Sequence, residues 1–147
     1  DTIDDTSNVS FDTSVDTLDF SRYSSPITIN LILFSTQGIA DNRELDLSNS
    51  TIENVIGGRG NDTIVGNEAA NLLIGNDGDD ILVGSVGRDI LIGGRGADTL
   101  RGGHGEDILI SGRTVFDSKI QRLKLLHEIW FSAESFEQRV ALIRSAD

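Results

Sequence analysis

Six nonapeptides follow one another without a gap from Gly57 to Ile110: GGRGNDTIV, GNEAANLLI, GNDGDDILV, GSVGRDILI, GGRGADTLR and GGHGEDILI. Position one is Gly in every unit. Position six is Asp62, Asn71, Asp80, Asp89, Asp98 and Asp107, and position eight is Ile64, Leu73, Leu82, Leu91, Leu100 and Leu109. No single unit of this kind can bury its own apolar residue, so the chain must stack one unit on the next.

The order of residue types within a unit sets the local structure. Glycine permits the close backbone approach and positive φ of a tight turn over the first six residues. The last three residues read as a strand, in which alternate side chains point to opposite faces. Position eight then faces one side in all six units, and positions seven and nine face the other. Two turns and two triplets make an 18-residue coil. Stacked coils pair their strands in parallel and bury the position-eight stripe between two short sheets. The expected fold class is therefore mainly β, a parallel β-roll. Burying each Leu or Ile contributes roughly 1.5–3 kcal/mol. Six of them do not offset an ordering entropy of about 1–2 kcal/mol per residue, so the turns need another source of stability.

Position six supplies it. Turns two units apart stack on one edge, which places Asp62, Asp80 and Asp98 in one column and Asn71, Asp89 and Asp107 in the other. Like charges in a column repel. A hard divalent cation between them turns repulsion into coordination, with turn carbonyls completing the shell. Calcium, which accepts six to eight oxygens, suits this better than magnesium with its strict octahedron.

Charge agrees with a cation. The net charge is −12 in 147 residues. Residues 1–47 carry nine acids against two bases, residues 57–110 nine against four, and residues 111–147 five against six. No basic face is available to neutralise phosphates, which argues against a nucleic-acid partner. No run of 18 apolar residues is present, so no membrane-spanning helix is expected. There is no cysteine, which removes disulfides and thiolate metal sites. The chain begins at Asp1 and has no methionine, which points to a piece of a longer protein.

The nonapeptide run resembles the haemolysin-type (RTX) calcium-binding repeat, whose fold is a right-handed parallel β-roll. VDTLDFS at 15–21, ITINL at 27–31 and TIENVIGGRGNDTIVGN at 51–67 resemble the segment leading into the repeats of serralysin-type secreted metalloproteases. The resemblance implies that each ion takes carboxylates from two stacked turns. Backbone carbonyls come from near positions two and four of one turn and one and three of the other. On this chain, Gly58, Gly60 and Asp62 would face Gly75, Asp77 and Asp80, with Asp77 contributing its carbonyl. Asn67, Ala69 and Asn71 would face Gly84, Val86 and Asp89. Asp80 would face Gly93, Arg95 and Asp98, and Gly87 with Asp89 would face Gly102, His104 and Asp107. About four calcium ions are expected. The second unit departs from the pattern, with Ala69 for Gly and Asn71 for Asp, so its site should be the weakest. Residues 48–56, SNSTIENVI, fit the frame as a degenerate lead-in coil with Glu53 at position six.

Three segments are expected: a β cap and lead-in coil over 1–56, the roll over 57–110, and a two-helix tail over 111–147. Upstream, ITINLILF at 27–34 alternates and is β-branched, with Pro26 at a strand's first position. Downstream, Ile120, Leu123, Leu126, Ile129 and Trp130 share one helical face, and Phe136, Val140 and Ile143 form a second stripe. Ser135 with Gln138 reads as a capping box. The spacing predicts helices over about 117–131 and 135–145, forming a hairpin. The tail also resembles C-terminal segments that follow RTX repeats in bacterial secreted proteins. Leu72, Ile74, Ile90, Ile92, Ile108 and Ile110 make one outer sheet face wholly apolar. The tail helices, or self-association with another copy, would cover it.

Rival chemistries fit less well. His104 sits at a variable turn position and reads as an exposed histidine. His127-Glu128 lacks the second His of a zinc-protease motif. No Lys-Ser/Thr follows the GGRG turns, and their aspartates would repel phosphate. NDGDD at 76–80 lacks the downstream Glu of an EF-hand loop. A column of turns provides no cleft for a carboxylate pair to act as a glycosidase. The expectation is a noncatalytic, calcium-binding module of a secreted, extracellular or cell-surface bacterial protein. The resemblance implies export by type I secretion and is compatible with an enzyme upstream in the parent chain. The alternative is a self-assembling subunit of a surface layer, adhesin or extracellular filament.

Overall fold

The computed structural model describes residues 2–3, 16–33, 35–40, 43–47, 52–113, 125–126 and 128–145. Two compact units divide the chain, Asp1–Arg113 and Thr114–Asp147.

In the first unit the strands are β1 (Thr2–Ile3), β2 (Asp16–Asp19), β3 (Thr28–Asn30), β4 (Thr36–Ala40), β5 (Arg43–Asp46), β6 (Ile52–Ile56) and β7 (Thr63–Val65), followed by β8 (Leu72–Asp77), β9 (Ile81–Val86), β10 (Ile90–Arg95), β11 (Thr99–His104) and β12 (Ile108–Ile110). One parallel sheet runs β1-β2-β6-β8-β10-β12, and a second runs β11-β9-β7-β3. The chain alternates between them, one strand per nonapeptide. The register advances by one coil at a time: Val55 pairs with Leu73, Leu73 with Leu91 and Leu91 with Leu109. In the facing sheet Ile64 pairs with Leu82 and Leu82 with Leu100. This is the β-roll expected from the repeat.

The pairing runs further than the triplets. Gly94 pairs with Asn76 and Arg95 with Asp77, so β8 to β11 each span six residues. The turn backbones themselves lie in register. Position two takes the left-handed conformation at Asn76 (φ 79°) and Ser85 (φ 88°) as well as at Gly94, which keeps successive turns superimposable.

The N-terminal β cap is built as a continuation of the roll. β2 and β3 extend the two sheets, with Leu18 and Ile29 fully buried on the same inward stripe. Leu18 pairs with Val55, 37 residues on, so this coil is about twice the length of the others. The surplus includes the antiparallel β4–β5 hairpin, whose Leu45, with Leu47 beyond it, is buried in the core. Ile64, Leu73, Leu82 and Leu91 continue that core at 0 % exposure. The stripe then fades: Leu100 is partly buried and Leu109 is 46 % exposed.

On the outer face of the larger sheet Leu72, Ile74, Ile90 and Ile92 are buried, while Ile108 and Ile110 are half-buried. The facing sheet is more open outside, with Ile81, Thr99 and Arg101 exposed.

The second unit is helical. Leu125, Leu126 and Glu128–Trp130 belong to a first helix, and a second spans Phe136–Ser145. Ile120, Leu123 and His127 lie outside the described residues. Ser135 caps the second helix: its N–H donates to Gln138 Oε1 (2.9 Å), and its Oγ accepts from the Gln138 N–H (3.3 Å). Trp130 is buried, edge-on to Phe136 at 5.9 Å, with the Arg139 guanidinium 5.0 Å from its ring centroid.

Candidate metal centre

Each turn delivers its position-six residue to the same place. The preceding strand ends at position nine before Asp62 and Asn71 and at position three before the later four, the glycine turn reverses the chain, and position six arrives just before the next strand begins. In the first column the Ile27 N–H donates to Asp62 Oδ1 (3.0 Å), the Asp62 N–H to Asp80 Oδ1 (2.8 Å), and the Asp80 N–H to Asp98 Oδ1 (3.0 Å). In the second, the Asn71 N–H donates to Asp89 Oδ1 (2.9 Å) and the Asp89 N–H to Asp107 Oδ1 (3.0 Å). One carboxylate oxygen per residue is therefore used to stitch coil to coil.

The other oxygen differs from turn to turn. Asp62 Oδ2 accepts from the Gly58 N–H at 2.6 Å. Asp80 Oδ2, Asp89 Oδ2 and Asp98 Oδ2 are buried with no hydrogen-bond partner. Asp80 and Asp89 are at most 1 % exposed. A buried carboxylate oxygen without a donor or cation is costly. Burial pushes the Asp80 carboxyl up to about 7, against the hydrogen bond from the Asp62 amide and reinforced by the charges of Asp62, Asp98 and Asp79. Burial likewise lifts Asp89 to about 6, with Asp107 adding repulsion. Asp62 is raised by burial, partly offset by the N–H groups of Gly58 and Ile27.

The glycines are cut to this arrangement. A Cβ on Gly75 would run into Asp80 Oδ2 and stand 2.5 Å from the Gly93 carbonyl oxygen. Gly84, Gly93 and Gly102 meet the carboxylates of Asp89, Asp98 and Asp107 in the same way. At position four, Gly96 (φ 131°) lies against the Gly78 carbonyl, and Gly87 (φ 124°) against that of Ala69. The turns thus stack with backbone carbonyls beside the acid column.

Most of the residues singled out by the pattern come together, in distinct roles. Gly58 and Gly60 stack beneath the turn of Gly75 and Asp77, where the Asp77 N–H donates to the Gly58 carbonyl (3.3 Å). The Asp77 side chain is half-exposed and lies 3.9 Å from Arg95 Nη1. Val86 and His104 are exposed; the Arg95 and His104 carbonyls accept from the Gly78 and Gly87 N–H groups. Among the described residues no three His, Cys, Asp or Glu side chains cluster, so an ion in either column would rely on backbone oxygens for most of its shell. That donor set is all oxygen, and the partnerless Oδ2 atoms fit a hard cation such as calcium.

Residues 56–91 and 83–113 match the RTX calcium-binding nonapeptide repeat, four copies. Residues 56–113 form an RTX β-roll. No curated protein matches the chain.

The second unit of the RTX roll is built differently. Asn71 Oδ1 accepts from the Asn67 N–H (2.9 Å), and Asn71 Nδ2 donates to the Glu53 carbonyl (2.8 Å) and to Asn67 Oδ1 (3.1 Å). Asn67 Nδ2 donates to the Ile52 carbonyl at 3.0 Å. The sequence showed a missing carboxylate here. It did not show that the two amides would satisfy each other and the coil below. Sequence reasoning also missed Asp16, whose N–H donates to Glu53 Oε2 (2.8 Å), repeating the coil-to-coil stitch upstream. The signal was present, since Asp16 precedes Thr17-Leu18-Asp19 as Asp80 precedes Ile81-Leu82-Val83. The long coil hid it from the period.

Proposed function

We propose that this chain is a noncatalytic calcium-binding module whose repeat coils close on calcium outside the cell, supporting secretion and stability of a larger extracellular protein. The observation that carries the reading is the set of buried, partnerless Oδ2 atoms of Asp80, Asp89 and Asp98. Each gains a partner when a cation enters the column. The ligands would be these carboxylates with those of Asp62 and Asp107 and the turn carbonyls, for about four ions, fewest at Asn71. Metal binding and folding are then one reaction. At low calcium the carboxylates oppose the stacked turns. At roughly 10⁻⁴–10⁻³ M, the range of extracellular modules, they hold them. Export in the open state by a type I route is consistent with this switch.

Self-assembly through the apolar outer face has less support. Leu72, Ile74, Ile90 and Ile92 are already buried in the single chain. Among the described residues no helix is long and apolar enough to cross a membrane.

The test is far-UV circular dichroism during a calcium titration, with magnesium as control and light scattering in parallel. A cooperative gain of β signal near millimolar calcium, reversed by chelator, is expected. A full β signal in chelator, unchanged by calcium, would remove the proposal. Scattering that grows with the β signal would favour the assembling subunit.

A further inference from the structure

The two ends of the first unit are stabilised by different means. Upstream, the packing is apolar: Leu18, Ile29, Leu47, Ile52 and Val55 are all at most 2 % exposed. Phe20 meets Tyr23 edge-on at 5.4 Å, and the loop between β2 and β3 is tied to the first repeat turn by the Arg59 N–H on the Tyr23 carbonyl (2.9 Å). The position-six side chains of the first two repeats are served by the protein itself. Both oxygens of Asp62 accept backbone N–H groups, and Asn71 uses its oxygen and its nitrogen on Asn67 and Glu53. Downstream of Gly75 the polar support fails first, and the apolar one only beyond Leu91. Within the repeats the partnerless carboxylate oxygens begin at Asp80, while Leu82 and Leu91 remain fully buried and the inward stripe thins only at Leu100 and the half-exposed Leu109.

We infer that residues 16–75 form a folding nucleus that needs no calcium, stapled at its growing end by the Asn67–Asn71 amide pair, and that calcium extends the roll from it towards Ile110. Asn71 is then a device and not a degraded ligand. Its Nδ2 donates to the coil beneath, where a carboxylate would require an ion. A finished coil at this level offers β9 and β10 a template: β7 and β8 present paired edges in register, so each added turn meets formed backbone on one side. Each new 18-residue coil then has only its own ordering and loop closure to overcome, and one ion between stacked carboxylates acts at that step.

The inference rests on the calcium-folding reading above, and amide hydrogen exchange on the full chain separates the two. In chelator, amides of β2, β3, β6, β7 and the β8 segment through Ile74 should exchange at least about 100-fold more slowly than in an open chain, and those of β9 to β12 within about tenfold of it. Saturating calcium should carry protection through to β12. Absence of protection everywhere in chelator, with full protection in calcium, overturns the nucleus while leaving calcium-driven folding intact. Protection in chelator seated in β10 to β12 overturns it as well. Complete protection in chelator, unchanged by calcium, overturns both. The Asn71→Asp variant tests the staple: in chelator β6 to β8 should lose protection by at least about tenfold, and calcium should restore it. Unchanged protection in that variant in chelator refutes the role given to Asn71.

Discussion

Replacing Asp80 by Asn should change the stability of the roll in opposite directions with and without calcium. In the metal-free fold Asp80 Oδ1 accepts the Asp62 N–H, while Oδ2 is buried and partnerless between Asp62 and Asp98. Its carboxyl is raised from 3.8 to about 7, first by burial and then by its neighbours' charges. An acid with a raised folded pKa opposes folding once ionised. At pH 8 that cost to the metal-free roll is roughly 2–4 kcal/mol, the lower figure allowing for relaxation and water entry. Asn carries no charge and keeps an oxygen for the Asp62 amide, so Asp80→Asn should return most of that cost in chelator. In the calcium-bound roll as proposed, the same change would remove a carboxylate shared by two stacked sites, and a loss of about 3–5 kcal/mol is expected, as for breaking a buried charge pair. Two measurements at pH 8 show the crossover. One is the trimethylamine oxide concentration that induces β signal in chelator, since such osmolytes strengthen burial. The other is the urea midpoint in about 10 mM calcium, well above the expected affinity range. Destabilisation of similar size in both would mean that the Asp80 carboxylate is already satisfied without metal, and the account of the columns would fail.

Acidification should act on the wild type in the same sense as that substitution. Asp80 and Asp89 bind protons more tightly in the metal-free roll than in the open chain, so metal-free stability is greatest at low pH and is lost as pH rises through about 6 to 7. In chelator the β signal should therefore grow between pH 8 and pH 5, while the calcium midpoint moves to higher concentration; a flat response in both would contradict the burial of these groups. Gly96→Ala places a Cβ at φ 131° against the Gly78 carbonyl. It should cost at least about 2 kcal/mol, read as a higher calcium midpoint. Leu91→Ala, at a fully buried position, should cost about 2–5 kcal/mol, whereas Leu109→Ala, at a site 46 % exposed, should cost well under half of that; equal urea shifts would contradict the fading stripe. Ser135→Ala should remove about 1 kcal/mol from the second helix, read as faster amide exchange in Glu137–Arg139 with the roll unaffected.

Much of the architecture was legible because it is periodic. An apolar residue at every ninth position is a local property of the chain, and Ile64, Leu73, Leu82 and Leu91 face the core as that period requires. The Asp62–Asp80–Asp98 column follows from the 18-residue coil, and the cap at Ser135 from a three-residue spacing. The first coil was harder to read, because the extra residues between Leu18 and Val55 break the count. The apolar run ITINLILF gave no sign that Thr28–Asn30 would take the place of a repeat strand.

The sequence alone determined the coil length, the inward stripe, the two acid columns and the oxygen-rich chemistry that suits calcium. Those properties depend only on which residue stands how many places from the next. Tertiary structure decided which carboxylates are already served. Asp62 receives the amide of Ile27, 35 residues away, and Asn71 meets the Glu53 carbonyl, while Asp80, Asp89 and Asp98 each keep one buried oxygen with no donor. A hydrogen bond across coils joins groups brought together by folding, so its presence at one turn and absence at the next cannot be counted along the chain.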